Sequence, residues 1–372
     1  MAHRPRLLHA FATFQAAGPQ VRTAALLNAF GGEFEHAVVA LDGHTEARGL
    51  IAQHVPLRML ESPPRAGSLA TVRALRSLLH AEAPDLVLTY NWGAMDALVA
   101  ARTRRLSIVH HEDGFRPDEV HGFKLRRSLA RRVLLGGARA VVVPSETLGK
   151  IARETWRLPG VIVVPNGIDV DRFAPQSEQR DERRRELGVD ANALVVGTVG
   201  HLRKEKNPLR LLAAFATLGP NAHLCFVGDG PEREPLEKQA RALGIQPRVH
   251  LLGHRADPSP WLWACDIFAL SSDTEQMPVA MLEAMAAELP VAATAVGDVR
   301  VILPREADEY VVPATAEALG SALRALADDA ALRQRLGRRN RERVRERFSF
   351  AAMRDAHHGI WRSALGAQNA DA

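Results

Sequence analysis

The chain has 372 residues, of which 47% are hydrophobic and 24% charged, and a formal net charge of +5. This length and balance are typical of a soluble globular protein with two separate hydrophobic cores. No apolar run approaches the roughly 20 residues of a membrane span, and the two cysteines lie in apolar segments without metal-like spacing, which argues against a disulfide scaffold. We therefore expect a cytoplasmic protein whose positive charge permits an anionic partner.

Short apolar segments alternate with helical segments through the first half of the chain. Strands are predicted at 6–10, 37–41, 86–89, 106–109, 140–143 and 161–164, and helices at 21–30, 69–81, 95–102 and 147–154. We interpret the segment at the N-terminus as the first strand and not as a signal peptide. Continuous apolar strands separated by helices predict a parallel α/β sheet covered on both faces, whose ligands bind beyond the carboxyl ends of the strands.

Polar residues follow the first, third and fourth of these strands. Gly18, after the first strand, would allow a phosphate group to approach the backbone. The segment 90–93, Tyr-Asn-Trp-Gly, suits either carbohydrate stacking or a packed loop. His110 begins a run of four titratable residues after the fourth strand, and such a run favours a functional site over a solvated turn.

The segment 122–135 predicts an amphipathic helix with two stripes. The basic stripe consists of Lys124, Arg127 and Arg131, and the apolar stripe of Leu125, Leu129 and Val133. Two interpretations remain open. The helix is either an ordinary surface helix whose apolar stripe faces the core, or one whose basic stripe docks onto an anionic membrane or an acidic lipid-linked acceptor.

The second half of the chain repeats the alternation, with strands predicted at 193–198, 223–227, 249–252, 266–270, 291–293 and 310–312. The first of these strands is followed by a glycine and a basic loop that contains His201, Arg203 and Lys206. Cationic side chains at a strand end can neutralise a diphosphate leaving group, so the loop predicts a phosphate cradle.

The strand at 266–270 leads into a loop and then into a helix predicted to end near Glu288. Pro278 suits the first turn of this helix. The backbone N–H groups of Met277, Val279 and Ala280 should then be available at the helix N-terminus, where they favour a bound phosphate.

Two carboxylates bracket the predicted phosphate site. Glu275 precedes the helix, and Glu283 lies about one and a half turns inside it. Carboxylates repel a phosphate but accept hydrogen bonds from sugar hydroxyls. A nucleotide-sugar, in which a diphosphate separates a hexose from a ribose, fits this layout.

The spacing of Glu275 and Glu283 resembles the E-x7-E signature of family 4 retaining glycosyltransferases. The segment 166–173 is close to the family's N-G-x-D-x-x-x-F, and Lys206 matches the lysine of its Gly-Arg-Leu…Lys pattern. His201 stands at the arginine position of that pattern, so Arg203 is an alternative to it. The resemblance covers nearly the whole chain, although 17–19 departs from the usual Gly-Gly pair.

This resemblance implies the GT-B architecture, with two facing Rossmann-like, doubly wound α/β domains and a ligand cleft between them. The boundaries that follow are 1–170 for an N-terminal acceptor-side domain and 171–348 for a nucleotide-sugar-binding domain. A C-terminal helix at 349–372 is expected to cross back to the N-terminal domain.

The resemblance also implies a hexosyltransferase-type enzyme (EC 2.4). It would move a sugar with retention from a UDP- or GDP-sugar to a saccharide or lipid-linked acceptor, in the synthesis of a cell-envelope polysaccharide or glycolipid. Glu283 would hold the ribose, Glu275 the donor sugar, and Lys206 with Arg203 or His201 the departing diphosphate. His110 would lie beside the reacting sugar. We expect no cofactor and no metal ion, and a cytoplasmic enzyme that is peripheral on the inner face of the membrane if the basic helix docks there.

Two alternatives to glycosyl transfer remain open. A nucleotide-sugar 2-epimerase shares the architecture and would use residues such as His110, Glu112 and Asp113 for proton transfer. A non-catalytic nucleotide-sugar-binding protein is the other alternative. A nucleic-acid partner is not expected, because the basic segments lack interleaved aromatic residues.

Overall fold

The computed structural model describes residues 4–64, 67–114 and 125–366. The chain divides into two compact units, which are treated separately below. Unit 1 comprises Met1–Asn166 together with Met353–Ala372, and unit 2 comprises Gly167–Ala352. The division between the units therefore falls four residues before the predicted boundary at 170, and the C-terminal return begins at 353, not at 349.

The described residues of unit 1 form a seven-stranded parallel sheet with helices between the strands. Its strands are β1 (Arg6–Phe11), β2 (Glu35–Ala40), β3 (Leu57–Leu60), β4 (Leu86–Tyr90), β5 (Ile108–His111), β6 (Ala140–Val143) and β7 (Val161–Val163). Its helices are α1 (Gly18–Phe30), α2 (Ser68–Glu82), α3 (Met95–Thr103), α4 (Leu125–Leu135) and α5 (Glu146–Glu154). The strand order is β3-β2-β1-β4-β5-β6-β7.

Strand β3 was not predicted from the sequence. It lies at the edge of the sheet beside β2, and its side chains are only partly buried. Because one of its four residues is Arg58, it lacks the continuous apolar run by which the inner strands are recognised.

Unit 2 contains a six-stranded parallel sheet with the order β10-β9-β8-β11-β12-β13. These strands are β8 (Leu194–Val199), β9 (Ala222–Val227), β10 (Val249–Leu251), β11 (Ile267–Leu270), β12 (Val291–Thr294) and β13 (Val311–Val312). The helices are α6 (Ser177–Glu186), α7 (Pro208–Phe215), α8 (Arg233–Ala242), α9 (Ser259–Ala264), α10 (Val279–Ala286), α11 (Val299–Ile302), α12 (Ala316–Asp328) and α13 (Ala330–Arg347). The last helix, α14 (Phe350–Gly366), belongs to unit 1 from Met353 onwards.

Local sequence sets several helix starts. The side chains of Ser145, Thr315 and Asp329 accept hydrogen bonds from backbone N–H groups in the first turns of α5, α12 and α13. At α7, Asn207 caps the helix and Pro208 occupies its first position, where a missing N–H costs nothing.

Helix α14 packs on unit 1 through one apolar and aromatic stripe, formed by Met353, His357, Trp361 and Ala364. The ring of Trp361 is fully buried, with its centroid 5.0 Å from that of Phe30 and 5.7 Å from that of His9. Full burial of an indole contributes about 2–3 kcal/mol, so the stripe accounts for the attachment of the helix.

The strand orders fix where the ligand sites of each sheet can lie. The chain reverses direction across the sheet between β1 and β4 in unit 1, and between β8 and β11 in unit 2. Loops that leave the carboxyl ends of these strand pairs diverge and leave room for a ligand. In unit 2, the predicted site residues Lys206 and Glu275 lie on these loops, and in unit 1 His110 lies near the carboxyl end of the adjacent strand, β5.

Candidate functional site

In unit 2, the loops after β8 and β11 are joined by hydrogen bonds. The N–H of Asp273 donates to the carbonyl of Glu205 (2.8 Å), and the hydroxyl of Ser271 donates to the carbonyl of Lys206 (2.9 Å). Arg210, on α7, donates to the carbonyl of Ser271 (2.8 Å). Residues about 65 positions apart in the chain are therefore held side by side, as the parallel sheet requires.

This junction brings two predicted site residues into direct contact. The Nζ atom of Lys206 donates to Oε1 of Glu275 at 2.5 Å, and the hydroxyl of Ser272 donates to the same oxygen at 2.7 Å. The Glu275 side chain is 9% exposed and that of Lys206 is 38% exposed. The carboxylate is therefore held in place by two donors, while the Lys206 side chain remains partly exposed to solvent.

Two glycines let neighbouring turns close on these loops. A Cβ on Gly297, whose φ of +50° lies in the left-handed region, would lie 2.0 Å from the carbonyl oxygen of Glu275. A Cβ on Gly228 would lie 1.9 Å from the carbonyl oxygen of Gly200, at the start of the basic loop. Only glycine permits these approaches, so both turns act as fixed supports of the candidate site.

The start of α10 differs from the prediction in one respect. Pro278 is the N-cap of the helix and not a residue of its first turn, and the helix ends at Ala286, before the predicted end near Glu288. Pro278 cannot donate a backbone hydrogen bond, and its extended ψ of 109° directs the chain into the helix from outside. The N–H groups of Val279 and Ala280 lie in the first turn, where a helix offers no internal acceptor.

Glu283 lies inside α10 in a largely buried position. Burial raises the pKa of its carboxyl group to about 7, and the charge of Asp257 acts in the same direction, while Arg172 opposes both. Arg172 itself pairs with Asp257, with Nη2 and Oδ1 at 3.1 Å. The Glu283 carboxyl group is therefore poised to change its charge near neutral pH, as groups at ligand sites often are.

The other cations predicted for the diphosphate, His201 and Arg203, are exposed on the loop after β8. The backbone of this loop is held by a hydrogen bond from the N–H of Leu202 to the carbonyl of Asp229 (3.0 Å). Both side chains are exposed, so either could reach a diphosphate bound at this edge of the sheet.

In unit 1, the loops after β4 and β5 are joined through Asn91. Its N–H donates to the carbonyl of His111 (2.7 Å), and its Oδ1 accepts from the N–H of Asp113 (2.7 Å). Arg22, on α1, donates to both carboxylate oxygens of Asp113 at 2.5 and 3.0 Å and to Oδ1 of Asn166 at 3.0 Å. One arginine thus ties the first helix to two loops at the carboxyl edge of the sheet.

Gly18 is the first residue of α1, and a Cβ there would meet nothing within 4 Å. The fold itself therefore does not require glycine at this position. The predicted approach of a phosphate to Gly18 remains a prediction.

His110 is fully buried at the end of β5. Its Nδ1 lies 2.8 Å from the hydroxyl of Thr89, and its Nε2 lies 3.5 Å from Oε2 of Glu112. Glu112, not His110, lines the adjoining cavity of about 480 Å³. The His110 ring therefore contacts the wall of that cavity through Glu112 and does not itself line it.

The prediction for the face of α4 was wrong. Arg131 of the proposed basic stripe is fully buried, with its guanidinium group 5.0 Å from the ring centroid of Trp92 and 4.4 Å from that of Trp156. The residues of the apolar stripe are instead exposed: Leu125 by 84%, Leu129 by 57% and Val133 by 60%. Arg127 is partly buried, and Lys124 lies outside the described residues.

The reversal has a physical reason. The inward face of α4 carries Ser128, Arg131 and Leu135, at the i, i+3 and i+7 spacing of one helical face. Stacking between two indole rings and proximity to the Glu112 carboxylate compensate the desolvation of the Arg131 charge. These partners come from distant parts of the chain, so a helical projection of the segment cannot reveal them.

Sequence reasoning missed several residues that shape the two loop regions. Each of them acts through a hydrogen bond or an ion pair to a residue elsewhere in the fold or loop. They are Arg22, Asp257, Arg172 and Ser272. Ser272, three residues before Glu275, could have been found from its place in the same loop. The other three carry no local signal, because an exposed-looking arginine or aspartate is common on any surface.

The described ranges contain neither a candidate metal site nor a candidate membrane span. No group of three or more His, Cys, Asp or Glu side chains in residues 4–64, 67–114 and 125–366 is arranged to hold a metal ion. In the same ranges, no helix combines the length and the apolar character needed to cross a membrane.

Two family models match the chain, one in each half. Residues 16–172 match the model described as Glycosyltransferase Family 4, and residues 179–343 match the model described as Glycosyl transferases group 1. Between them, these two matches cover most of the chain and confirm the family that the motifs predicted.

Curated relatives align mainly over part of their length. The lipopolysaccharide core biosynthesis glycosyltransferase LpsD of Rhizobium meliloti is 34% identical over 175 residues, which cover 47% of this chain and 51% of that protein. The UDP-Gal:alpha-D-GlcNAc-diphosphoundecaprenol alpha-1,3-galactosyltransferase of Escherichia coli is 29% identical over 259 residues, covering 64% of this chain and 65% of that protein. The chain spans about half the length of the first curated relatives that it matches.

Solved structures resemble the fold over nearly the whole chain. Anabaena Alr3699/HepE in complex with UDP has a TM-score of 0.83 at 22% identity, covering 96% of this chain and 100% of that one. The sucrose-phosphate synthase of Thermosynechococcus elongatus has a TM-score of 0.81 at 21% identity, covering 98% and 100%. The likeness confirms the predicted fold of two Rossmann-like domains.

Proposed function

Because the chain belongs to the group 1 and family 4 glycosyltransferases, we propose that it transfers a sugar from a nucleotide-diphosphate sugar to a saccharide or lipid-linked acceptor. The donor is a UDP- or GDP-sugar, and the product is a cell-envelope polysaccharide or glycolipid. A UDP donor is supported by solved relatives that are described as complexes with UDP and with UDP-glucose. Relatives named for lipopolysaccharide core synthesis and for a diphosphoundecaprenol acceptor support the acceptor class.

One observation carries the proposal. The structure joins Lys206, Glu275 and the first turn of α10 at the carboxyl edge of the unit 2 sheet, although they come from loops about 70 residues apart. A cation and a helix N-terminus suit a diphosphate, and a carboxylate beside them suits the hydroxyls of the attached sugar. Glu283, further along the same helix, is the proposed acceptor for the ribose hydroxyls.

The proposed reaction exchanges one bond at the anomeric carbon of the donor sugar. The bond from that carbon to the β-phosphate oxygen breaks, and a bond to the acceptor oxygen forms on the same face. The leaving phosphate takes the acceptor proton. Lys206, with Arg203 or His201, and the N–H groups at the start of α10 stabilise the charge that develops on the diphosphate. In this proposal the cationic side chains replace a metal ion, so chelation by EDTA leaves the rate unchanged.

Association with an anionic membrane is part of the proposal, through a face of α4 that differs from the predicted one. The exposed apolar stripe of Leu125, Leu129 and Val133 is flanked by the exposed residues Arg126 and Arg132. Apolar side chains between basic ones suit the interface of an anionic bilayer, where the leucines enter the acyl boundary and the arginines meet the phosphates. A lipid-linked acceptor would be reached at such a surface.

Donor binding tests the proposal directly. We would titrate UDP, GDP, UDP-glucose and GDP-mannose into the wild-type protein and into Glu283→Ala, and follow thermal unfolding. A ligand at one hundred times its Kd stabilises the fold by about 2.7 kcal/mol, which is easily measured. The proposal expects a response to one base that is lost in the variant; no response to any nucleotide contradicts it.

Acceptor dependence separates transfer from the two alternatives. A transferase releases the nucleoside diphosphate faster when a saccharide or lipid-linked acceptor is present, whereas a 2-epimerase converts the donor without any acceptor. A binding protein without activity does neither. The relatives named above are transferases, so they do not favour epimerisation.

A further inference from the structure

The cavity in unit 1 is lined by a carboxylate that has one oxygen without a hydrogen-bond donor among the described residues. Glu112 is 1% exposed and is among the residues that line the cavity of about 480 Å³, and its Oε2 atom accepts no hydrogen bond among the described residues. Its neighbour Asp113, by contrast, accepts two hydrogen bonds from Arg22. A buried carboxylate oxygen without a donor is costly unless a ligand supplies one.

The carboxylate of Glu112 is held in place by its surroundings. Its backbone N–H continues the sheet ladder by donating to the carbonyl of Val142 (2.9 Å). Oε2 lies 3.5 Å from Nε2 of His110 and 3.8 Å from Nε of Arg131. Both distances are too long for good hydrogen bonds. The guanidinium group of Arg131 nevertheless places a positive charge, and the imidazole of His110 a polar group, close to the carboxylate.

Arg131 is itself fixed by the two indole rings that sandwich its guanidinium group, those of Trp92 and Trp156. The planar group can rotate little between two aromatic faces, so its position relative to Glu112 is set by packing. Trp92 also lines the cavity, which gives the cavity an aromatic wall beside the carboxylate.

The chemistry of the cavity selects the kind of ligand. Arg22 and Arg131 offset the charges of Asp113 and Glu112, so the site is not strongly acidic and has no need of a cation. What the cavity offers is a carboxylate oxygen and an aromatic side chain, together with the amide residue Asn91. Hydroxyl donors on a ring with apolar C–H faces, as in a neutral sugar, complement these groups.

We propose that Glu112 accepts a hydrogen bond from a hydroxyl group of a bound sugar, and that Arg131 is a positioning residue that holds Glu112 for this contact. The inference rests on the proposed function for the choice of a sugar as the ligand. The sugar is either the one carried by the nucleotide donor or the one on the acceptor, and both present the same hydroxyl chemistry.

Two binding measurements distinguish these sources. Calorimetry compares the affinities for UDP-glucose and for UDP, and saturation-transfer difference NMR detects methyl α-glucoside, methyl α-galactoside and methyl N-acetyl-α-glucosaminide at millimolar concentration. If the donor sugar is the ligand, Glu112→Gln weakens the affinity for UDP-glucose at least tenfold and leaves the affinity for UDP unchanged. If the acceptor sugar is the ligand, the variant abolishes saturation transfer to the glycoside and leaves the affinity for UDP-glucose unchanged.

Controls separate recognition from folding. Glu33→Gln removes another carboxylate of unit 1 that contacts a histidine and an arginine, His358 and Arg362, and it should leave both sugar measurements unchanged. If Glu112→Gln fails to fold because Arg131 loses its counter-charge, the double variant Glu112→Gln/Arg131→Met removes both charges and is measured in its place.

The role of Arg131 has its own readout. Arg131→Lys keeps the charge but loses the planar group between the indoles. It should therefore weaken binding of the same sugar ligand that Glu112→Gln affects, by about threefold to tenfold. A lower Tm with unchanged sugar binding would make Arg131 a structural residue only.

Four outcomes are decisive. Unchanged binding in both arms for folded Glu112→Gln overturns the proposal, as does a wild-type protein that binds no sugar in either arm. Glycoside binding that depends on Glu112, in a protein that binds neither UDP nor GDP, overturns the proposed transfer and supports the sugar contact of Glu112. UDP-glucose binding that ignores Glu112, with no glycoside bound, supports the donor proposal and overturns this one.

Discussion

The ammonium group of Lys206 donates to the carboxylate of Glu275 at 2.5 Å, so the residue proposed for the diphosphate and the residue proposed for the donor sugar are paired with each other. Glu275 also accepts from the hydroxyl of Ser272. A bound diphosphate would compete for Lys206, and Glu275 would then keep one fixed donor and gain an oxygen free to accept from a sugar hydroxyl.

Loss of Lys206 should therefore slow the chemical step. Lys206→Ala removes a cation from the developing charge on the diphosphate, and we expect kcat to fall by about 10²–10³-fold. Steady-state release of the nucleoside diphosphate measures this. Lys204→Ala, in the same short turn but with an exposed side chain, is the matched control. Equal losses in both variants would indicate a general effect of loop charge and not a specific role of Lys206.

Binding of the donor should depend on pH through Glu283. Its raised pKa of about 7 means that the carboxyl group is largely neutral at pH 6 and ionised at pH 8. An ionised carboxylate accepts hydrogen bonds from both ribose hydroxyls, so the affinity for UDP-glucose should rise between these pH values. UDP-glucose is the appropriate probe because its diphosphate lacks the terminal ionisation near pH 6 that free UDP has.

The same raised pKa predicts that the stability of the fold falls as the pH rises, whereas the affinity for the donor rises. Because the folded-state pKa lies above the ordinary value of 4.5, ionising Glu283 destabilises the fold, and this cost grows as the pH rises from 4.5 through 7. Glu283→Gln should therefore be more stable than the wild type at pH 8, by about 3 kcal/mol, and not at pH 4. Urea unfolding at both pH values measures the difference; a variant that is less stable at pH 8 would contradict the assignment of burial as the cause.

The exposed stripe of α4 predicts binding to anionic vesicles. Arg126→Gln/Arg132→Gln should weaken sedimentation with phosphatidylglycerol vesicles by about 30-fold, since each arginine contributes about 1 kcal/mol near such a surface. Leu125→Ser/Leu129→Ser/Val133→Ser should abolish it. Leu69→Ser, which replaces an isolated leucine that is 80% exposed on α2, is the control. Equal binding by all three variants would remove α4 from the proposed membrane contact.

Unit 1 should lose stability in acid because of a cluster of buried histidines. Burial lowers the pKa of His9 and His111 well below the usual value, that of His36 to about 4 and that of His357 to about 3; nearby charges, such as that of Arg22 beside His111 and His357, act in the same direction. These groups are neutral when folded and take up protons on unfolding. Their stabilising effect is therefore complete above pH 6.5 and is lost as the pH falls below it.

His357→Phe tests this directly, because it keeps an aromatic ring against Trp361 and His111 but removes one titrating group. The slope of unfolding free energy against pH, between pH 6 and 4, should decrease by about 1.4 kcal/mol per pH unit. His54→Gln, at an exposed position, should leave the slope unchanged. A slope that is the same in His357→Phe and the wild type would show that His357 does not take up a proton on unfolding in this range.

Local patterns were sufficient for the inner strands and for the helices of unit 1, but no helix was predicted at α8, α9, α11 or α12 in unit 2. Strands such as β4 and β11 are buried on both faces of a parallel sheet. Such strands need a largely apolar sequence without alternation, which can be recognised in the sequence. Edge strand β3, with Arg58 in its centre, has no such requirement and was missed. The position of Pro278 before α10 was predicted to within one residue, because proline has a strong preference at helix starts.

The sequence by itself determined the two-domain parallel α/β fold, the family and the loops that carry the candidate site, because strand periodicity, turn residues and motif spacing are local properties. Only the tertiary structure decided that Lys206 pairs with Glu275, that His110 is sealed behind Glu112, and that Arg131 faces inward between two tryptophans. Each of these depends on partners that the sheet brings together from distant segments. A charged side chain looks the same in sequence whether it meets solvent or a buried counter-charge, and only packing distinguishes the two.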